Sequence, residues 1–261
     1  MEVMGGGAPM VRDVEVEWVR YGEDEGRDLN LRVYVAEALQ AQPRAVAVFY
    51  HGGGWHAGRR EQFATHAEHL ARLGMVGILV EYRRRGPVLA TRDAVESMQF
   101  IHGHLDRWNG DSERIVAIGG SAGGHLALES RMFGSRREWA GPDTFILFNP
   151  VTNTSESFPG GFGFHKFVDE SEARSHSPYH QLSDGASLRV LVMHGTADET
   201  VHHGNSVEFC EAIEYQGGEA TVVLYPGASH GFFNERSTGK QYHLRTLSQM
   251  EHALRSWKFI S

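Results

Sequence analysis

At 261 residues the chain is long enough to bury one large core, and it is read as a single domain over residues 1–261. Thirty-three acidic against twenty-five basic residues leave a formal charge of −8, so a generally polyanion-seeking surface is excluded and no nucleic-acid partner is expected. The one cysteine, Cys210, excludes an intrachain disulfide, and no run of about eighteen apolar residues is present to form a membrane-spanning helix.

The start, MEVMGGGAPMVRD, has neither the basic region nor the apolar run of a signal peptide, so the chain as written is expected in the cytoplasm. Two strands of alternating polarity follow, Val14 to Arg20 and Leu29 to Val35, joined by the turn-rich YGEDEGRD as a hairpin at a sheet edge. The near-continuous apolar runs AVAVFY, MVGILVEY, RIVAIGG, TFILFN, LRVLVMH and TVVLYP suit strands buried on both faces. Between them, Phe63, Ala67, Leu70 and Leu73 mark one helix, and Ala94, Met98, Ile101, Leu105 and Trp108 mark a second. Val207, Phe209, Cys210 and Ile213 give a third helix with one buried face. The last helix carries Leu244, Leu247, Met250, Leu254 and Trp257.

This alternation predicts an α/β fold: a mostly parallel sheet of about eight strands with helices on both faces. Residues 151–183 break the rhythm, and a connection of that length is a candidate lid. Its Phe158, Phe162, Phe164 and Phe167 either wall an acyl or aromatic pocket or simply pack on the sheet. The basic clusters Arg83, Arg84, Arg85 and Arg136, Arg137 read as solvated loop charge.

Gly119-Gly120-Ser121-Ala122-Gly123 lies between the apolar strand RIVAI and the helical stretch GHLALESRMF, the context a nucleophile elbow requires. A sharp strand-to-helix turn lifts the serine hydroxyl above the sheet, and the new helix directs its N-terminal amides at the site. Tyr50-His51-Gly52-Gly53-Gly54-Trp55 follows another strand, and its glycines can present unobstructed N–H groups. The amides of Gly52 and Gly53, with that of Ala122, are the expected oxyanion hole.

A serine hydroxyl needs a base and a carboxylate to orient that base. Asp198, in His194-Gly195-Thr196-Ala197-Asp198, and His230, in Gly227-Ala228-Ser229-His230-Gly231-Phe232, each follow a strand, in the chain order Ser, Asp, His. Glu199 competes with Asp198, and spacing does not separate the adjacent pair. His202 and His203 read as rim or surface groups, and Trp55, Phe232 and Phe233 as substrate contacts because they adjoin the expected site. His66-x-x-His69 and His102-x-His104 lack the companions of a zinc pattern, and GGSAGG lacks the later acidic residue of a dinucleotide site. No metal or cofactor is expected.

With these motifs in place, the sequence resembles the α/β-hydrolase esterases, in particular the hormone-sensitive-lipase-like group and the bacterial acetylxylan and feruloyl esterases. YHGGGW resembles the family's oxyanion loop, GGSAGGHLA its elbow, HGTADETV its acid turn and GASHGF its histidine turn. Two features depart from the lipase-like group: Gly120 stands where an acidic residue usually precedes the nucleophile, and the N-terminus looks too short for a helical cap. The resemblance therefore implies a serine carboxylesterase acting on short or aromatic acyl esters, including acetyl or feruloyl groups on carbohydrate; the sequence leaves monomer and homodimer both open. Arylformamidase or small-peptidase chemistry on amides uses the same triad, and a silent binding protein on the same fold is the rival of a different class.

Overall fold

A computed structural model describes residues 13–37, 42–133, 141–156, 162–183, 187–235 and 240–261. Phe158, Arg136, Arg137 and the first twelve residues of the expected leaderless start lie outside them.

The chain opens with β1 (Val14–Asp24) and β2 (Arg27–Ala36), an antiparallel hairpin longer at both strands than the polarity pattern predicts. Its tip is the pair Glu25-Gly26, with φ of 47° and 79°, and two successive positive φ values make the tight turn whose twist suits a hairpin. Next come β3 (Arg44–Tyr50), α1 (Ala64–Arg72), β4 (Val76–Val80), α2 (Pro87–Gly103), β5 (Gly110–Gly120) and α3 (Ala122–Met132). The second half runs β6 (Thr144–Phe148), α4 (Glu170–Ser175), α5 (Pro178–Gln181), β7 (Arg189–Gly195), α6 (Gly204–Tyr215), β8 (Glu219–Tyr225) and α7 (Lys240–Ser256).

The eight strands form one sheet in the order β1-β2-β4-β3-β5-β6-β7-β8, antiparallel at β1, β2 and β4 and parallel from β4 onward. The expected sheet with helices on both faces is therefore what the chain builds. Alternate residues of the inner strands feed opposite faces, as the two-residue repeat requires. Val46, Val48 and Tyr50 of β3 belong to one buried cluster with Met98 of α2, Leu126 of α3 and Phe209 of α6. Ala47 and Phe49 pack with Leu70 of α1 and Leu254 of α7 on the other side. Cys210 is buried in the α6 face, and burial pushes its thiol up to about 12.

Two helical stripes differ from expectation. α2 stops at Gly103, and a 3-10 turn over Leu105–Trp108 replaces its last turn; the three-residue period still buries both residues. In α7 the buried stripe is His243, Thr246, Met250, Ala253 and Leu254, leaving Leu244 57% exposed. A hydrogen bond between His243 Nδ1 and the Phe233 carbonyl, 3.1 Å, lets an imidazole take a buried position that hydropathy assigns to leucine. Arg83 also departs from its reading as a solvated charge: it chelates the carboxylate of the fully buried Asp93, and Arg85 pairs with Asp24 and Glu25.

After β3 the chain passes first to β4 on one side and then to β5 on the other. A crevice opens where the strand order reverses, beyond the carboxyl ends of β3 and β5, which is where open α/β sheets hold their ligands. Tyr50 pairs with Gly119, so the glycine loop after β3 and Ser121 after β5 are neighbours.

Candidate active site

Ser121 has φ 55° and ψ −124°, a conformation that an L-residue adopts only at a cost of about 1–3 kcal/mol. The surrounding backbone holds it there: Ser121 N–H donates to the Phe148 carbonyl at 2.9 Å, and the Ser121 carbonyl accepts from Gly124 and His125. The turn can be this tight only without side chains at two glycines. A Cβ on Gly119 would lie 2.1 Å from the Gly123 carbonyl oxygen, and one on Gly123 would lie 2.1 Å from that of Tyr50.

Ser121 Oγ lies 3.0 Å from His230 Nε2, and His230 Nδ1 lies 2.7 Å from Asp198 Oδ2. An ionised carboxylate only accepts, so Nδ1 carries the proton and Nε2 is left to accept from the serine. Burial alone would raise the Asp198 carboxyl, but hydrogen bonds from His194, His230 and the Val201 amide outweigh it and hold the group well below the usual carboxylate range. The amides of Thr200 and Val201 both reach Oδ1 at 2.9 Å. Glu199, the competing carboxylate, is exposed and has no bond to His230 among the described residues.

His194, four residues before Asp198, is fully buried beneath it. Its Nε2 faces two acceptors, Asp198 Oδ2 at 3.1 Å and the Val201 carbonyl at 2.9 Å, so it carries the proton. Its Nδ1 bonds the Ser206 hydroxyl at 2.6 Å. The carboxylate is thus held by two imidazoles and two amides. Sequence reading passed over His194, although its place at the end of β7 inside HGTAD was the available signal.

The glycine loop is more constrained than its letters suggest. The Gly52 N–H donates to Gln62 Oε1 at 2.7 Å, and His51 Nδ1 bonds the Gly52 carbonyl at 2.7 Å. This corrects the expected role of Gly52, whose amide is already committed to a side chain. In a trans peptide the C=O and the following N–H point in opposite directions. Fixing the Gly52 carbonyl on His51 therefore aims the Gly53 N–H away from that ring. Among the described residues the amides of Gly53, Gly54 and Ala122 have no hydrogen-bond acceptor, so Gly54 joins the two remaining expected donors. Burial pushes His51 down to about 4 and keeps it neutral; the Tyr82 hydroxyl donates to its carbonyl at 2.7 Å, and the two rings stack.

The expected substrate aromatics are corrected too. Trp55 and Phe232 are completely buried and Phe233 is 1% exposed, so their side chains turn into the core rather than toward the crevice. Phe233 packs behind the elbow against Phe63 and Phe148, and Phe232 against Tyr225. Trp55 packs on Phe162 and Phe167 of residues 151–183 and donates from Nε1 to His125 Nδ1 at 3.3 Å. Adjacency to the site in sequence did not say which way each side chain points. His202 and His203 stack on each other at the start of α6, His202 exposed and His203 half-buried. No group of three metal-ligating side chains occurs among the described residues, and no described helix is long and apolar enough to cross a membrane.

Known proteins repeat this architecture. Native esterase 2 of Thermogutta terrifontis superposes with a TM-score of 0.82 at 30% identity, over 97% of this chain and 94% of that one. The same esterase phosphonylated by sarin gives 0.84 at 29% identity, over 98% of each chain. A probable isoprenylcysteine alpha-carbonyl methylesterase of Oryza sativa subsp. japonica is 25% identical over 81% of this chain and 56% of its own length. The chain spans about half the length of such plant relatives, 45% of the one from Arabidopsis thaliana. A family described as alpha/beta hydrolase fold matches residues 47–234, from β3 to just past His230, and the chain belongs to that family.

Proposed function

We propose that the protein is a serine carboxylesterase that hydrolyses short-chain acyl esters through Ser121, His230 and Asp198. The observation that carries this reading is the unbroken hydrogen-bonded line from Ser121 Oγ through both nitrogens of His230 to Asp198, beside amides with no acceptor among the described residues. His230 takes the proton as Ser121 Oγ attacks the ester carbonyl, and the oxygen that becomes negative is received by Gly53, Gly54 and Ala122. Losing one such donor costs about 3–4 kcal/mol of transition-state stabilisation. His230 then gives its proton to the departing alcohol, leaving an acyl-enzyme, and water repeats the sequence to release the acid. No step calls for a cofactor.

A short acyl group is supported by the structural relative, which has been solved with propionate and with butyrate bound. The described part of residues 151–183, packed on Trp55 through Phe162 and Phe167, is read as the wall of the acyl side. Acetyl esters, including those on carbohydrate, fit this reading better than feruloyl esters, because Trp55, Phe232 and Phe233, the aromatics expected to contact substrate, are buried. The test is a series of p-nitrophenyl esters from acetyl to decanoyl, with methyl ferulate and a matched anilide alongside and Ser121→Ala as control. Activity should peak at short acyl chains, the size range of the propionate and butyrate bound in the structural relative, and vanish in the variant. Full activity in Ser121→Ala overturns the mechanism, and a faster anilide overturns the ester assignment.

A further inference from the structure

We propose that Gln62 is a positioning residue for acyl transfer, coupling the loop that carries the oxyanion amides to the loop that carries the base. The proposal rests on the serine-esterase reading above. Gln62 sits in the 3-10 turn Arg60–Phe63 that leads into α1, ten residues beyond Gly52, and no motif marks it.

Its carboxamide spans two loops. Oε1 accepts the Gly52 N–H at 2.7 Å, and Nε2 donates to Asn234 Oδ1 at 3.1 Å. Asn234 Nδ2 in turn donates to the Gly231 carbonyl at 2.9 Å, next to His230, and the Gly231 N–H reaches Asn149 Oδ1 at 3.3 Å. The run from Gly52 to Gly231 has only one consistent direction. A backbone N–H at one end can only donate and a carbonyl at the other can only accept, so both carboxamides are oriented without ambiguity.

Gly52 is consequently gripped from both sides, by Gln62 at its N–H and by His51 at its carbonyl, and the Gly53 N–H inherits its direction from that grip. Acyl transfer needs the amides and His230 in register, because the oxyanion and the transferred proton belong to one tetrahedral species. The Gln62 to Asn234 bridge is the side-chain link that sets this register. A cavity of about 740 Å³ lined by Gly52, Gly53, Gln62, His66 and Asn234 flanks it. Water from that cavity can satisfy the Gly52 amide once the side chain is removed, so the fold tolerates the loss while the register does not.

The test compares Gln62→Ala, Gln62→Glu, Asn234→Ala and the double alanine variant for kcat, KM, thermal stability and inhibition by an alkyl trifluoromethyl ketone, which forms the tetrahedral adduct. Gln62→Ala should lower kcat roughly 10- to 100-fold, below the 10²–10³ reported for removal of an oxyanion donor itself. KM should stay within about twofold, ketone affinity should fall in parallel with kcat, and the double variant should be no worse than the worse single one. Gln62→Glu keeps an acceptor for Gly52 but places a carboxylate against an amide oxygen, so it should not rescue. Wild-type kcat in Gln62→Ala or Gln62→Glu, fully multiplicative single effects, or a lower melting temperature with unchanged ketone affinity each overturn the bridge. Stoichiometric labelling of Ser121 by a fluorophosphonate in every variant separates these outcomes from failure of the serine reading, in which wild type itself would not label.

Discussion

Mild acid should unfold this protein well before its carboxylates titrate, because three buried histidines are built to remain neutral. Burial lowers His51 to about 4 and His66 and His125 to about 3, against 6.5 for the free side chain. His125 shows the cause in atomic terms. Its Nε2 donates to the His176 carbonyl at 2.7 Å while Nδ1 receives the Trp55 indole N–H at 3.3 Å, so a second proton would set two donors face to face. His66 is 1% exposed among Phe63, Phe148 and His243, and neither ring nitrogen has a hydrogen-bond partner among the described residues. Since the folded pKa values lie below the unfolded ones, the unfolded chain binds protons first. The stability these groups leave intact is complete above about pH 6.5 and is lost as pH falls toward about 4 for His51 and about 3 for His66 and His125. At pH 5 each histidine costs about 2 kcal/mol and the three together about 6, comparable with the whole stability of an ordinary domain. Asp198, held below its usual range, adds a loss in the same sense only below about pH 4. Urea unfolding followed by tryptophan fluorescence at pH 7 and pH 5 measures the difference directly. His66→Leu should remove about a third of it. A change of less than about 1 kcal/mol between the two pH values in wild type would refute the reasoning.

Three further outcomes are expected. Asp198→Asn keeps the shape of the acid turn but no longer fixes the imidazole tautomer, so kcat should fall about 10⁴-fold with KM little changed, as steady-state kinetics would register. Ser121→Gly should abolish turnover yet raise thermal stability by up to about 2 kcal/mol, because glycine removes the cost of φ 55° less its own chain entropy; a destabilised variant contradicts the strain. Ser206→Ala should cost about 1–3 kcal/mol in chemical denaturation, since it strips the partner from buried His194 Nδ1, and should lower kcat through the carboxylate His194 supports; an unchanged denaturation midpoint would count against that account.

What the sequence disclosed was whatever depends on local chain direction. The elbow is legible because a strand, a glycine-flanked serine and a helix must occur consecutively, and Asp198 and His230 are legible because each is the first suitable group after a parallel strand. The hairpin tip was legible in kind but not in length, since Glu25-Gly26 permits a two-residue turn that the polarity pattern alone does not require. Orientation was not legible. Trp55 and Phe233 adjoin the candidate site in sequence and yet face inward, because burial of a large aromatic in the core outweighs its nearness to the crevice.

The least legible parts of the site are those assembled across the sheet. Gly52 appeared equivalent to Gly53, and what separates them is a carboxamide from a different element that has already claimed one N–H. Gln62 and Asn234 are 172 residues apart, so neither periodicity nor motif spacing relates them. His194 occupies an intermediate case: its four-residue spacing from Asp198 is local, but its second bond is to Ser206 on α6. Each of these groups constrains an atom that the motif residues use. Three strand-end segments can therefore show which serine, histidine and carboxylate come together, while the glycine loop beside them is held by a side chain that carries no pattern at all.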